Sequence, residues 1–358
     1  MNFMNGIIFR DWLNLLIENK FKISTQYIGR FAQITLISIL NSKMKRKEDK
    51  LYYDKIKNVE VKDPIFIIGH WRSGTTLLHK LMSLDEQFAY PNLFQVTHPH
   101  SFLYREEKIV KSLGKIEAEK RPMDNMKVTF QDPGEDESAI SVLSQRSPLV
   151  SWGFPEENEF YTKFHTFENV ESADLVKWKN SFMWFLKKLT FRYNNTLVLK
   201  SPVHLGRIKI LVDMFPNAKF IHITRNPYKI FVSTKKLYKE MLPTTSLQNV
   251  DFSKWDNFVI DNYKMMYESF IENRNLIQDE NFFEIHFEDF ELNKIDTIKN
   301  IYQKFSLSDF DILKPKLEEY LNTISDYKKN KFQELDPNIK EKLNREWGFT
   351  FTEFGYKF

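Results

Sequence analysis

The sequence of 358 residues contains no cysteine, which excludes disulfide bonds, thiolate zinc sites and thiol catalysis. It also lacks an excess of charge of one sign, because 52 lysines and arginines stand against 48 aspartates and glutamates, for a net charge of +4. This balance argues against a nucleic-acid-binding surface but permits a local anion site. Hydrophobic residues make up 42% of the chain and include 33 phenylalanines, enough to bury a large core. The chemistry must therefore come from carboxylates, histidine, lysine, arginine and backbone amides.

No stretch of the sequence reaches the roughly 18 uninterrupted apolar residues that a membrane-spanning helix requires. The most apolar N-terminal stretch, residues 27–40, is interrupted by Arg30 and Gln33. The first residues do not resemble a signal peptide, because Arg10 and Asp11 lie inside their apolar run and no small-residue cleavage site follows. The sequence therefore predicts a cytoplasmic protein.

The N-terminal region predicts two helices followed by a charged segment. Residues 7–17 and 27–40 carry apolar side chains at helical spacing, and residues 43–50 form a mostly basic run. We favour a helical layer packed on the rest of the chain, with the basic run as a solvated turn. The alternative is peripheral contact of these helices with an anionic membrane surface. The predicted organisation is an N-terminal helical extension at 1–58 and one main domain at 59–358.

The main domain has the pattern of a parallel α/β sheet. Short apolar runs, each typical of a strand buried on both faces, occur at residues 64–68, 196–199, 219–223 and 282–287. Amphipathic helical patterns lie between them, which predicts a central parallel sheet with helices on both faces. The region 91–170 is rich in proline, histidine and acids and predicts long loops over the edge of the sheet.

A phosphate-binding loop follows the first predicted strand. It reads Gly69-His70-Trp71-Arg72-Ser73-Gly74-Thr75-Thr76. Two glycines spaced five apart, before a helix, let backbone amides and the helix N-terminus surround an anion. The loop departs from the nucleotide-binding pattern because Thr75 takes the place of the lysine and Arg72 is its only cation. The strands ending at Leu199 and Thr224 also lack the aspartate that holds magnesium, so we expect a phosphate-like ligand and no metal.

A second anion site is predicted after the strand at 219–223. Asn226 is a suitable N-cap and Pro227 a suitable first helical residue, which places Arg225 at the carboxyl end of the strand. Ser233 lies about two turns into the helix that follows. Ligands of open α/β sheets bind at this edge, so Arg225 and Ser233 are candidates for holding a second phosphate. The alternative is that Arg225 pairs with a carboxylate.

Together these elements resemble the sulfotransferases that use 3′-phosphoadenosine-5′-phosphosulfate (PAPS), in the branch of bacterial and tyrosylprotein sulfotransferases. Arg72–Thr76 resembles the 5′-phosphosulfate loop of that family, and Arg225 with Ser233 resembles its 3′-phosphate pair. Three further segments resemble the same branch: Leu199–His204, Phe287–Phe290 and Glu353–Tyr356. The resemblance covers roughly residues 60–358 in matching order.

The resemblance implies an enzyme that moves a sulfuryl group from PAPS to a hydroxyl group and releases 3′,5′-ADP without a metal. It implies that Arg72 and Lys200 contact the transferring group and that Arg225 and Ser233 hold the 3′-phosphate. The 5′-phosphate is assigned to the amides of Ser73, Gly74, Thr75 and Thr76. The basic stretch at 327–331 adds Lys329 as a candidate near the 3′-phosphate.

The general base has no single candidate. Tyrosylprotein sulfotransferases carry a glutamate roughly twenty residues after the loop arginine, but residues 91–94 offer no acid here. Cytosolic sulfotransferases use a histidine farther along, and the comparable stretch contains Glu135 and Glu137. We rank Glu137 first among the candidates, with Glu135 beside it, and His98 as the competing choice because histidine titrates near neutral pH. His100, two residues after His98, is a second competing histidine.

The acceptor is not encoded in any motif. Abundant phenylalanine and the apolar N-terminal layer favour a hydrophobic hydroxylated acceptor, such as a sterol, steroid or lipid. A carbohydrate sulfotransferase shares the donor site and is the main alternative. Two others are a P-loop kinase or nucleotide hydrolase, and a membrane-peripheral binding module without turnover. No nucleic-acid partner is expected, and the sequence does not predict an oligomeric state.

Overall fold

The computed structural model describes residues 3–113, 119–120, 127–325 and 335–358. The strands in this part of the chain are β1 Ile65–Ile68, β2 Phe88–Ala89, β3 Glu119–Lys120, β4 Lys127–Val128, β5 Thr196–Lys200, β6 Lys219–Thr224 and β7 Phe282–His286. Five of them form one sheet in the order β2-β5-β1-β6-β7, while β3 and β4 form a separate antiparallel pair. The four strands predicted from the sequence are β1, β5, β6 and β7, and all four are confirmed.

The strands that precede the predicted ligand-binding segments pair in parallel. β1 pairs in parallel with β5 on one side and with β6 on the other, and β6 pairs in parallel with β7. Ile67 lies opposite Lys200, and Ile68 lies opposite His222. Because parallel strands end at the same edge, the segments after β1, β5 and β6 all leave the sheet there.

The helices of the described residues are α1 Phe9–Glu18, α2 Ile28–Ile56, α3 Thr75–Met82, α4 Leu93–Thr97, α5 Phe102–Leu113, α6 Asp136–Ser144, α7 Asn158–Thr162, α8 Ser172–Tyr193, α9 Ile208–Met214, α10 Pro227–Thr245, α11 Trp255–Asn273, α12 Phe287–Leu292, α13 Lys294–Lys304, α14 Phe310–Thr323 and α15 Pro337–Glu353. The region 91–170 was expected to form long loops, and this expectation is wrong for its described part. That part contains α4, the described part of α5, α6 and α7, because its apolar side chains are spaced to pack as short helices.

The chain packs into two compact units. The helical unit comprises Met1–Lys62, Ala89–Asn195 and Tyr238–Phe252, and the sheet unit comprises Asp63–Phe88, Thr196–Leu237 and Ser253–Phe358. The first 62 residues therefore pack with later segments of the helical unit. The predicted division into an extension at 1–58 and a main domain at 59–358 stays a prediction.

The sheet unit buries both faces of its central strands. Ile65 and Ile67 of β1 belong to a cluster that includes residues of α3, α12, α13 and α14. Phe66 points to the other face, where its ring stacks on Phe220 at a centroid distance of 5.3 Å and contacts Phe215, the residue after α9, at 6.1 Å. Alternate residues of β1 thus meet helices on opposite sides, which explains its continuous apolar sequence. The predicted parallel α/β fold is confirmed.

The charged run at 43–50 is not a turn, contrary to our expectation, because α2 continues through it to Ile56. Glu48 is buried in the helical unit, where its carboxylate lies 2.5 Å from the Lys188 ammonium and accepts a hydrogen bond from the Tyr104 amide. Burial raises the pKa of Glu48 and lowers that of Lys188. Asp49 pairs with Lys45 one turn away. These pairs allow a charge-rich sequence to remain helical.

None of the helices in the described ranges is both long and apolar enough to cross a bilayer.

Candidate active site

The loop after β1 is shaped by two glycines with positive φ angles. Gly69 has φ +150°, and a Cβ there would lie 2.5 Å from the carbonyl oxygen of Ile223. Gly74 has φ +106°, and a Cβ there would lie 2.3 Å from the ring of Phe287. The loop therefore packs against β6 and α12 more closely than any larger residue allows. The loop is followed directly by α3, whose first residue, Thr75, is buried.

Arg72 occupies a left-handed conformation in the middle of the loop, with φ +71°. Such a conformation costs a non-glycine residue about 1–2 kcal/mol and needs support from its surroundings. Two hydrogen bonds hold it. Arg225 Nη1 donates to the Arg72 carbonyl oxygen at 2.8 Å, and Arg72 Nε donates to Ser233 Oγ at 2.8 Å. Residues assigned from sequence to two separate phosphate sites are thus in direct contact.

His70 does not add a second positive charge to the loop. Its side chain is buried, its Nδ1 lies 3.0 Å from the Trp71 carbonyl oxygen, and burial lowers its pKa to about 4. At neutral pH the imidazole is therefore uncharged.

The second predicted anion site forms at the end of β6. Asn226 Oδ1 accepts a hydrogen bond from the Lys229 amide at 3.3 Å, and Pro227 is the first residue of α10, as the sequence predicts. The Arg225 guanidinium lies 4.3 Å from the centre of the Phe287 ring. Burial lowers the pKa of Arg225, and the neighbouring carboxylates of Glu288 and Glu291 oppose this shift.

Glu288 and Tyr356, from the two motif segments nearest the C-terminus, lie beside the second predicted anion site. Glu288 Oε1 accepts a hydrogen bond from the Asn226 amide at 3.2 Å, and Glu288 Oε2 accepts one from the Tyr356 hydroxyl at 3.0 Å. Burial beside this carboxylate raises the pKa of Tyr356. The segments Phe287–Phe290 and Glu353–Tyr356, separated by more than sixty residues, therefore support the chain directly after Arg225.

Several buried hydrogen-bond donors of the sheet unit lack a partner within the part of the chain that the structure describes. Four of them are Ser73 Oγ, Ser201 Oγ, Arg225 Nε and Thr234 Oγ1. Ser73 lies in the loop, Ser201 follows β5, and Arg225 follows β6. Because buried polar groups are almost always paired, these donors indicate a ligand rich in acceptor oxygens. Phosphate and sulfate groups are such ligands.

Lys200 and His204 lie where β5 ends, at the same edge of the sheet. Lys200 is the last residue of β5, lies opposite Ile67 and is only 3% exposed. His204 is fully buried, and its ring meets the Phe66 ring edge-on at 5.4 Å. The His204 ring is therefore part of the packed core on that face of the sheet. Arg72, Lys200 and Arg225 are thus three cationic residues in the segments that leave one edge of the sheet.

The candidate bases lie in the helical unit. Glu137 is fully buried in the first turn of α6, and Glu135 precedes that helix, half-buried. His98 follows α4, stacks on the Phe94 ring at 4.4 Å, and has its pKa lowered to about 4 by burial. So low a pKa makes His98 a weak proton acceptor at neutral pH. His100 is buried, and burial lowers its pKa as well.

The stretch 91–94 carries no acid of its own, but a tertiary contact brings one to it. Glu106 of α5 is buried, and its carboxylate accepts hydrogen bonds from Asn92 Nδ2 at 2.6 Å and from Gln95 Nε2 at 3.0 Å. Gln95 Nε2 also donates to the Tyr193 hydroxyl at 2.6 Å. Sequence spacing could not reveal this carboxylate, because Glu106 lies fourteen residues after Asn92.

Two other predictions concern Lys329 and metal binding. Lys329 lies outside the described residues, and its assignment stays a prediction. Across residues 3–113, 119–120, 127–325 and 335–358, no three His, Cys, Asp or Glu side chains are grouped as a metal site requires.

Comparisons with known proteins decide the family. The sequence pattern of the Sulfotransferase family matches residues 64–311. The chain is 32% identical over 352 residues to the omega-hydroxy-beta-dihydromenaquinone-9 sulfotransferase Stf3 of Mycobacterium bovis, and equally to that of Mycobacterium tuberculosis. The match covers 98% of this chain and 90% of each relative. The chain belongs to the sulfotransferase family.

Solved sulfotransferase structures share the fold. The sulfotransferase STF1 from Mycobacterium tuberculosis aligns with a TM-score of 0.66 at 18% identity, covering 95% of this chain and 92% of that one. STF9 from Mycobacterium avium aligns with a TM-score of 0.64 at 16% identity, covering 88% and 82%. This chain is a sulfotransferase, and the alternatives of a kinase, a nucleotide hydrolase and a binding module without turnover are set aside.

The close approach of the sulfotransferase loop to Phe287 makes a test possible. Gly74→Ala is expected to lower the melting temperature of the protein. The new Cβ meets the Phe287 ring and the backbone keeps a positive φ, at a cost of about 2 kcal/mol or more. Gly29→Ala on α2 is the matched control, because a Cβ there meets nothing within 4 Å. Thermal melting measures both variants, and a Gly74→Ala melting temperature equal to that of the parent chain would contradict the described loop.

Proposed function

We propose that this sulfotransferase transfers the sulfuryl group of PAPS to the hydroxyl group of a hydrophobic lipid. The observation that carries the choice of donor is the set of buried, unpartnered donors on Ser73, Ser201, Arg225 and Thr234. PAPS carries a 5′-phosphosulfate and a separate 3′-phosphate, and their oxygens accept hydrogen bonds without donating any. Two phosphate groups also suit a site in which two arginines, Arg72 and Arg225, are in contact.

The residues of the sheet unit divide between the two ends of the proposed donor. The amides of Gly74, Thr75 and Thr76 lie at the positive N-terminal end of α3 and are suited to the 5′-phosphate. The Ser73 amide donates to the His70 carbonyl oxygen at 3.2 Å, so Ser73 contributes its unpartnered hydroxyl instead. Arg225 and Ser233 are suited to the 3′-phosphate. The hydrogen bond between Arg72 and Ser233 joins the two groups of residues, so a change at one end is expected to affect the other.

PAPS, when bound, supplies a sulfuryl group joined to a phosphate leaving group. Arg72 and Lys200 are assigned to stabilise the negative charge that develops on the sulfuryl oxygens and on the oxygen that bridges sulfur and the departing phosphate. The acceptor hydroxyl gains the sulfuryl group and gives its proton to a base, and 3′,5′-ADP leaves. Buried cations can supply this stabilisation strongly, because the low dielectric around Lys200 increases its electrostatic effect.

The choice of acceptor rests on the relatives and on composition. The two relatives at 32% identity are named for a hydroxylated menaquinone, which is a lipid. The abundance of phenylalanine agrees with a hydrophobic acceptor. We propose a hydroxylated lipid of this chemical class, met inside the cell by peripheral contact with a membrane. A sterol or steroid belongs to the same hydrophobic class and remains an outcome of the acceptor test.

The direct test of this function is a transfer assay with PAPS that carries radioactive sulfur. The acceptors are a hydroxylated isoprenoid quinone, a sterol and a disaccharide, each assayed with a metal chelator present. We expect label to pass to the lipid hydroxyl and 3′,5′-ADP to appear in equal amount. Label that passes only to the disaccharide would contradict the proposed acceptor and favour a carbohydrate sulfotransferase.

We propose Glu137 as the general base, ahead of Glu135 and His98. Its burial in the first turn of α6 agrees with a carboxylate that is kept from solvent. Glu137→Gln is expected to reduce kcat on the order of a hundredfold or more, since a positioned base contributes about 10²–10⁴. The variant keeps the size of the side chain but has no carboxylate to accept the proton of the acceptor hydroxyl.

Glu135→Gln is the matched control and should retain the kcat of the parent enzyme. If His98 were the base, kcat of the parent enzyme would decline near pH 4, because burial lowers the pKa of the His98 imidazole to about 4, and His98→Asn would remove that decline. A Glu137→Gln variant with normal kcat would exclude the assignment. Calorimetric affinity for 3′,5′-ADP should be the same in all three variants, which separates catalysis from donor binding.

A further inference from the structure

The exposed apolar side chains of this chain are concentrated at its N-terminus. Among the described residues, eighteen large apolar side chains are exposed, and eight of them lie between Phe9 and Leu40. Those eight are Phe9, Leu13, Ile17, Phe21, Ile28, Leu36, Ile39 and Leu40. Single exposed apolar residues are common on proteins, but a group on two neighbouring helices indicates a surface that meets something else.

Seven of the eight residues belong to α1 and α2, which pack side by side within the helical unit. The Phe9 amide donates to Ser42 Oγ at 2.9 Å, and Trp12 Nε1 donates to Thr35 Oγ1 at 2.9 Å. The Trp12 ring also contacts the Phe31 ring at 6.0 Å. Later residues of α1 contact earlier residues of α2, so the two helices are antiparallel. The exposed residues of α1 therefore run alongside the apolar first half of α2.

On α1 the exposed apolar residues form one row. Phe9, Leu13 and Ile17 follow one another at intervals of four residues, which places them on one side of the helix. Trp12, Leu15 and Leu16 are buried and hold the other side against the unit. Phe21 extends the row just beyond the end of α1.

On α2 a single exposed row changes from apolar to basic along its length. It runs through Ile28, Ala32, Leu36, Ile39, Leu40, Lys43, Arg46 and Lys50, with intervals of three or four residues between successive turns. Lys43, Arg46 and Lys50 make no ion pair with any described residue. The acids of this segment are engaged elsewhere, because Glu48 pairs with the buried Lys188 and Asp49 pairs with Lys45. The exposed row thus presents cations without compensating anions.

We propose that the paired α1–α2 face docks on the surface of an anionic lipid membrane, with the apolar rows in the interface and the cations of α2 at the headgroups. An apolar face flanked by unpaired lysine and arginine has the chemistry that binds such surfaces. This proposal rests on the proposed function, since an enzyme whose acceptor is a lipid must reach that lipid where it resides. It names the partner surface and the residues that meet it.

The test is co-sedimentation of the full chain with vesicles of phosphatidylcholine alone or with added phosphatidylglycerol. Replacing Lys43, Arg46 and Lys50 together by glutamine is expected to weaken binding to the anionic vesicles on the order of a hundredfold, and added salt should do the same to the parent chain. Replacing Leu13 and Leu36 together by aspartate is expected to weaken binding to both kinds of vesicle by about tenfold or more. Both sets are exposed, so the fold is not at risk.

Matched controls are available in the sheet unit. Leu292→Asp changes a leucine that is 80% exposed, and glutamine at Lys209, Lys299 and Lys304 removes three exposed cations. These variants should bind vesicles as the parent chain does. The proposal would be overturned if the α1–α2 variants bound vesicles as tightly as the parent chain does, or if the parent chain bound no vesicles. A variant that instead changes the mass measured by light scattering would assign the face to self-association and would also overturn it.

A second readout separates this proposal from the proposed function. Sulfation of a short-chain, water-soluble hydroxylated acceptor should be the same in the parent chain and in every α1–α2 variant. Loss of vesicle binding with normal sulfation supports docking alone. Absence of sulfation in the parent chain would contradict the proposed function, whatever the vesicle result.

Discussion

Lys200→Ala is expected to lower kcat for sulfuryl transfer on the order of a thousandfold while changing the affinity for 3′,5′-ADP by less than about fivefold. A cation that acts on charge developing in the transition state contributes to the rate and little to the binding of the desulfated product. Lys200 is buried at the end of β5, opposite β1, which leads into the loop. A thousandfold loss of kcat corresponds to about 4 kcal/mol of transition-state stabilisation.

The measurement combines steady-state kinetics with calorimetry of 3′,5′-ADP. Lys209→Ala is the matched control, because Lys209 is an exposed lysine nine residues later in the same unit and should show no effect. Lys200→Arg should recover part of kcat, since the charge is kept. A melting temperature within a few degrees of the parent value confirms that the fold survives. Normal kcat in a folded Lys200→Ala variant would remove Lys200 from the reaction.

Arg225→Ala is expected to weaken 3′,5′-ADP binding on the order of a hundredfold to a thousandfold, a loss of about 3–4 kcal/mol. The variant loses the charge assigned to the 3′-phosphate, including the unpartnered Nε. It also loses the hydrogen bond that supports the left-handed Arg72. Both ends of the donor site are affected, so the effect should exceed that of Ser233→Ala.

Calorimetry on Arg225→Ala, Ser233→Ala and the double variant measures this connection. Because Arg225 contacts Arg72 and Arg72 contacts Ser233, the two effects should not add. Arg345→Ala is the matched control, since the Arg345 side chain is 67% exposed in the same unit. Additive losses would contradict the contact through Arg72. Normal affinity in Arg225→Ala would exclude the 3′-phosphate assignment.

Much of the sheet unit could be predicted from the sequence for a simple physical reason. A strand buried on both faces must be apolar throughout, and β1 is a short run of this kind. Once β1 and β6 are assigned as parallel strands, their carboxyl ends must lie at one edge of the sheet. The loop and Arg225, which follow these strands, are therefore expected at that edge. The N-cap at Asn226 was also predictable, because capping depends on neighbouring residues alone.

The interactions between distant residues were not predictable from the sequence. Phe287 contacts the Arg225 guanidinium, and its ring fixes glycine at position 74, but no spacing rule links these three residues. The contact of Arg72 with Ser233 likewise depends on how the loop and α10 pack. The helical conformation of residues 43–50 was missed because the pairing of Glu48 with Lys188 spans 140 residues. Packing, rather than local sequence, decides such features.

Titration calorimetry of the desulfated product shows whether this sulfotransferase binds PAPS through the loop and Arg225. The parent chain is titrated with 3′,5′-ADP in the presence of a metal chelator, and separately with ATP and magnesium. We predict tighter binding of 3′,5′-ADP, unchanged by the chelator. Preference for ATP with magnesium would contradict the assignment of the donor site.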